Sequence, residues 1–283
     1  MKRVSLHLGV NQVDNAHYFN RVPRLRACDD DATAMHDLLQ PLNFDEQEIL
    51  LDRQVTSATL TQRLSALADD LTAGDLLVVT YSGHGSQLSN LNAEGEADRL
   101  DEVFVLHDRF FLDDEIFRLF GGFADGVRIV FISDSCHSGT NMQITESVLS
   151  AERVDERGSR FAGPDFSLVR IVGAEIALAI ARQHPGIYGP ITQQPPFPEN
   201  RLRASVVGLS ACRDNQEAEE LPNGSQGRFT ATLLEEIAEH GMPSSYRDLL
   251  DRLRNRLSGH PQTPQLQLHG PDADSLADGP VFQ

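Results

Sequence analysis

Residues 127–132 read VRIVFI, a short run apolar at every position but Arg128, in which Val127, Ile129, Val130 and Ile132 are β-branched. A strand with one wet face alternates apolar with polar residues. A continuously apolar run reads as a strand buried on both faces. Residues 76–81, LLVVTY, have the same character. Strands of this kind need helices on both sides of the sheet, so they point to an α/β sandwich with a mainly parallel sheet. Each run then gives way at once to small and polar residues. The first ends in Ser82-Gly83-His84-Gly85 and the second in Asp134-Ser135-Cys136-His137-Ser138-Gly139. Open α/β sheets hold their ligands at the carboxyl ends of strands, where both of these tips fall.

The rest of the chain fits that architecture. Residues 4–10, 48–51 and 205–209 read as further strands, with 102–106 and 262–268 as weaker ones. Helices are expected over residues 29–39, 57–71, 111–120, 169–181, 229–238 and 245–257, from apolar side chains at helical spacing. Asp29, Asp30 and Asp31 open the first of them, where carboxylates suit the helix dipole. Thr56 or Ser57 suits the N-cap of the second. Residues 183–203 carry five prolines and read as loop. No repeat or domain boundary is evident over the 283 residues, so one domain spans 1–283, with 143–203 as a loop insertion or regulatory segment.

Composition excludes several functions. A net charge of −18 argues against a nucleic-acid partner, which would need a basic face. No apolar stretch reaches membrane-spanning length, and the opening MKRVSLHLGV lacks a leader-like apolar segment. Three cysteines, Cys28, Cys136 and Cys212, do not suggest a disulfide framework. The expectation is a soluble cytoplasmic protein.

If the two strands are neighbours, His84 and Cys136 meet at one edge of the sheet. A free thiol titrates near 8.5 and needs help to be a nucleophile at neutral pH. An imidazole beside it takes the proton and later returns it to a leaving amine. The surrounding glycines let a substrate backbone approach, and the amides of Gly85 and Cys136 are candidate oxyanion donors. A closed metal site from His84, Cys136 and His137 is a competing reading, but two adjacent ligands at one turn suit tetrahedral geometry poorly.

The paired motifs TYSGHGSQ and ISDSCHSG closely resemble the His and Cys motifs of metacaspases, the caspase-like cysteine peptidases. LRACDDDATAMHDLL resembles that family's first-helix motif, and LSACRDNQEAEE and QTPQL resemble later segments. The resemblance implies a caspase-like three-layer fold, with His84 as acid and base and Cys136 as nucleophile. It implies cleavage of proteins or peptides after Arg or Lys, with Asp31, Asp134, Cys28 and Ser82 lining the pocket and Asp214 as a further wall. Carboxylates are the groups such a pocket requires to hold a guanidinium or ammonium.

A Cys–His dyad requires no cofactor. The resemblance also raises calcium, with Asp98, Asp101, Asp113 and Asp114 as candidate ligands. The position where the family carries a further Asp is Gln143 here, which leaves calcium an open alternative. The loop after the nucleophile holds Arg153, Arg157, Arg160, Arg170 and Arg182. In a chain with a site for arginine, that suggests a zymogen activated by a cut after one of them, made by the protein itself or by an upstream protease. The resemblance further suggests a role in stress or antiviral defence. The alternative class is a caspase-fold adaptor, silent without a partner.

Overall fold

The structure is a computed structural model that describes residues 1–89, 100–135, 169–213 and 216–283. Its main sheet contains β1 (Arg3–Gly9), β2 (Glu46–Leu51), β3 (Leu76–Ser82), β7 (Arg128–Asp134), β8 (Ser205–Ser210) and β9 (Gln265–His269). The order is β2-β1-β3-β7-β8-β9, with β9 alone antiparallel. The expected neighbours β3 and β7 pair directly, Ser82 opposite Asp134. The chain leaves β1 to one side through β2 and returns to the other through β3, so the strand order reverses at β1. That reversal opens a crevice at the carboxyl ends of the strands.

Helices cover both faces. Leu76 and Val78 of β3, with Val130 and Ile132 of β7, face α2 (Cys28–Leu39), α7 (Arg228–His240), α8 (Tyr246–Arg256) and α9 (Ala273–Asp278). The alternate residues Leu77, Val79, Tyr81 and Ile129 face α3 (Ser57–Asp70) and α4 (Asp113–Phe120). This double coverage is why the two runs carry no polar alternation. The caps follow the sequence signals. Thr56 accepts from the Thr59 amide at the start of α3, and Ser245 accepts from Asp248 at the start of α8. No helix among the described residues is long and apolar enough to cross a membrane.

A small antiparallel sheet of β4 (Gly85–Ser89), β5 (Leu100–Val105) and β6 (Phe110–Leu112) sits beyond the end of β3. Its inner face packs with Tyr18 of the short helix α1 (Asn15–Tyr18) and with α5 (Ala174–Gln183) and α6 (Pro185–Thr192).

Three local expectations change. The helix expected from residue 169 starts only at Ala174, because Val169 and Ile171 are drawn into bridges with Glu219 and Gly85. The stretch expected as loop over 183–203 contains α6, whose Pro185 occupies the first turn, where a missing N–H costs nothing. Phe111 and Leu112 are extended, so the helix expected from residue 111 begins at Asp113.

Candidate active site

The site lies where β3, β7 and the start of α2 converge. Gly9, at the end of β1, stands opposite Ser82. It is packed so tightly against the first turn of α2 that a side chain there would overlap the Cys28 carbonyl. That close approach delivers Cys28 and Asp31 to the strand ends. Cys28, Asp31, Ser82 and Asp134 are all buried together. Burial pushes the Cys28 thiol well above its usual range, which makes it a neutral lining group.

His84 lies between the end of β3 and the start of β4 and is buried. Its Nε2 lies 2.8 Å from the carbonyl oxygen of Pro23. A carbonyl only accepts, so Nε2 carries the proton and Nδ1 holds the free lone pair. Nδ1 has no hydrogen-bond partner among the described residues. Burial lowers the His84 pKa to about 4, the Pro23 carbonyl raises it, and the nearby Arg170 cation lowers it further. At neutral pH the ring is therefore an uncharged base. Pro23 is a group that sequence reasoning missed, since a backbone carbonyl leaves no signature. Cys136 lies just past Ser135, the last described residue of that tip, and it falls outside the described residues together with Asp214, Asp98, Gln143, Arg153, Arg157 and Arg160.

The pocket between Asp31, Ser82 and Asp134 is filled by the chain itself. Arg170, one of the arginines considered as a cleavage position in the segment after the nucleophile, is fully buried. Its Nη2 donates to Asp31 Oδ2 at 2.6 Å. Its Nη1 donates to Ser82 Oγ at 2.8 Å and to the Asp134 carbonyl at 3.1 Å, and it lies 3.1 Å from Asp134 Oδ2. The main chain of Arg170 is held as firmly. Its N–H donates to the Ala218 carbonyl at 2.9 Å, within the antiparallel bridge of Val169 to Glu219. Its carbonyl accepts from the Gly85 N–H at 3.1 Å, the amide expected to serve an oxyanion. Beyond it, the Val172 N–H donates to the Gly85 carbonyl at 2.8 Å.

The pocket walls include three residues that sequence reasoning missed. Gly227 donates its N–H to Asp31 Oδ1 at 2.9 Å. A Cβ on it would overlap Asp134 Oδ2 and the Arg170 guanidinium. Thr230, in the first turn of α7, gives both its N–H and its hydroxyl to Asp134 Oδ2 at 3.0 and 2.7 Å. That fixes a carboxylate at a helix N-terminus, where it is stabilised. Glu220 is buried and lies 3.5 Å from Arg170 Nη2. Three carboxylates thus surround one guanidinium. Burial raises the Asp31 pKa to about 6 against the pull of Arg170, and the charge of Asp134 adds to the rise.

Of the acidic residues considered for calcium, Asp98 lies outside the described residues, and among the described residues no three metal-ligating side chains converge. Asp113 Oδ1 accepts from the Asp114 amide and Asp114 Oδ1 from the Phe197 amide. Burial, with Glu102, Asp114 and Asp101 nearby, raises the Asp113 pKa to about 7. These two oxygens are committed to main-chain donors.

Residues 13–274 match the model of the caspase domain family. The chain is 28% identical to Metacaspase-1A of Aspergillus oryzae over 305 aligned positions, covering 99% of this chain and 70% of that protein. It is 31% identical to Metacaspase-4 of Arabidopsis thaliana over 192 positions, 62% of this chain and 44% of that protein. The crystal structure of protein GSU0716 from Geobacter sulfurreducens superposes with a TM-score of 0.81 at 28% identity, covering 99% of this chain and 98% of that one. The three-layer sandwich, with its mostly parallel sheet, is the fold this match describes. With a caspase-domain match over most of its length, the chain belongs to the caspase-domain family and is a cysteine peptidase, a hydrolase.

Proposed function

We propose that this peptidase cleaves polypeptides after arginine, with lysine as a poorer alternative, through Cys136 and His84, and that the segment carrying Arg170 is its own first substrate. The observation that carries the reading is the bound pose of Arg170. Its side chain fills an acidic pocket, its N–H pairs with Ala218, and its carbonyl rests on the Gly85 amide. Those are the contacts a substrate residue needs just before a scissile bond. The reading places that bond between Arg170 and Ile171.

The chemistry follows from the proton inventory. His84 Nδ1 takes the proton of the Cys136 thiol, and the sulfur attacks the carbonyl carbon after arginine. The Gly85 and Cys136 amides hold the resulting oxyanion. Burial disfavours the imidazolium that forms, so it returns its proton readily to the departing amine. Water, deprotonated by His84, then attacks the thioester and releases the carboxylate and the thiol.

In the intact chain Arg170 competes with any substrate for the pocket, so the uncut form is a zymogen in this reading. A cut by the protein itself or by an upstream protease removes the tether. No cofactor is part of the reading. The test is to incubate the pure protein, sequence new termini, and assay a fluorogenic peptide ending in Arg before and after. A new terminus at Ile171, absent from Cys136→Ala, with turnover rising alongside it, is expected. No turnover from either form, or full turnover with the Arg170–Ile171 bond intact, would overturn the reading.

A further inference from the structure

Glu220 faces the guanidinium that fills the pocket, and nothing in the motif reading assigns it a role. It is fully buried, as is Arg170. From one side its oxygens accept the amides of Arg26 and Ala27, at 3.0–3.2 Å, just before α2 begins. Those N–H groups offset part of the cost of burying its charge. From the other side Oε1 lies 3.5 Å from Arg170 Nη2.

The contacts divide between the two terminal nitrogens. Nη1 meets Ser82 and Asp134. Nη2 meets Asp31 and Glu220. A guanidinium is a planar fork and serves both walls at once, whereas an ammonium is a single point charge. Lysine's nitrogen is also one bond nearer its Cα than either terminal nitrogen of arginine. In this pocket it stops short of the position Nη2 occupies, so the Glu220 wall acts on arginine far more than on lysine.

We infer that Glu220 is a specificity-determining residue that makes the pocket select arginine over lysine. The inference rests on the proposed peptidase reading and on the pocket that Arg170 fills. The test uses protein cut at Arg170, and two fluorogenic peptides identical except for Arg or Lys before the reporter. Glu220→Gln keeps an oxygen to accept from Arg26 and Ala27 while removing the charge. Its Arg-to-Lys ratio of kcat/KM is expected to fall about tenfold below that of the wild type. A role confined to anchoring α2 would lower both rates together. An unchanged ratio therefore overturns the inference even if activity drops.

Should Glu220→Gln fail to fold, Glu220→Asp keeps the charge but draws it back from Nη2. The same ratio is then read, and its fall or constancy decides in the same way. A wild-type protein that turns over neither peptide overturns the peptidase reading itself, and the role of Glu220 with it. That outcome is distinguishable, because it appears before any variant is compared.

Discussion

Replacing Arg170 by Ala should expose how much of this fold depends on a charge contributed by its own linker. The guanidinium is fully buried against Asp31, Asp134 and Glu220, all buried as well. Removing one partner of a buried ionic set leaves uncompensated charge and costs about 3–5 kcal/mol. At ~2–4 °C per kcal/mol for a large domain, that lowers the melting temperature by roughly 6–20 °C. The loss should depend on pH in a definite direction. Asp31 already titrates at about 6 in the folded chain, above its unfolded value of 3.8, so its ionisation weakens the fold as pH rises through that window. Without the cation its folded pKa moves higher still, since Arg170 lowers it. The variant's deficit should therefore be largest near pH 7.5 and shrink toward pH 5. Thermal melts of wild type and Arg170→Ala at several pH values, each with and without added arginine amide, measure this. Arginine amide should raise the variant's melting temperature more than that of the wild type. A variant melting within a degree or two of wild type at pH 7.5, with no pH trend, would show that Arg170 is not the counterion of the pocket.

Further outcomes follow from the same geometry. Gly227→Ala places a methyl group against Asp134 Oδ2 and the Arg170 guanidinium, and overpacking of this kind costs about 1–3 kcal/mol; melting should register that loss, and arginine-peptide turnover should fall even after the chain is cut. For an arginine peptide, kcat/KM should drop as pH falls through about 6 or somewhat above, because Asp31 must be ionised to attract the guanidinium. His84 stays unprotonated down to about 4, so kcat should persist to lower pH than kcat/KM; a pH profile of both parameters separates the two groups. Asp113→Asn should raise the melting temperature at pH 8 and bring little gain at pH 5, since the folded Asp113 pKa is about 7 and its ionised form burdens the fold above that. A loss of stability at pH 8 would mean instead that a cation or partner holds this carboxylate.

Much of this was legible in the chain itself. Residues 76–81 and 127–132, apolar without alternation, dictate strands covered on both faces, and β3 and β7 are buried among helices from both sides. The change to Ser-Gly-His-Gly after one and Asp-Ser-Cys-His after the other pointed to the carboxyl edge, where His84 and Asp134 are buried. Asp134 was readable from its place at the end of a strand two residues before the cysteine, Asp31 only through the resemblance of its motif, and the register of β1, β3 and β7 brings the strand ends level. The proline-rich stretch was misread because its prolines read as breakers, yet α6 starts on Pro185, where a missing N–H costs nothing, and accommodates Pro190 near its end while Tyr188 packs into the core beside the small sheet. Its composition carries no record of which position Pro185 takes.

Sequence alone determined the layer architecture and the neighbouring of the strands that precede His84 and Cys136, because local periodicity encodes those directly, while the acidic pocket was an expectation drawn from the resemblance of the motifs. Only the tertiary structure decided what occupies that acidic pocket. Arg170 was one of five arginines after the nucleophile, and its apolar neighbours Val169, Ile171 and Val172 mark a buried stretch without saying which groups its guanidinium would meet. Its burial arises from partners far along the chain, Asp31, Ser82, Asp134 and Glu220, which surround it only after the sheet has formed and α2 has docked. Gly227 and the Pro23 carbonyl entered the site in the same way, through long-range contacts that no local pattern records.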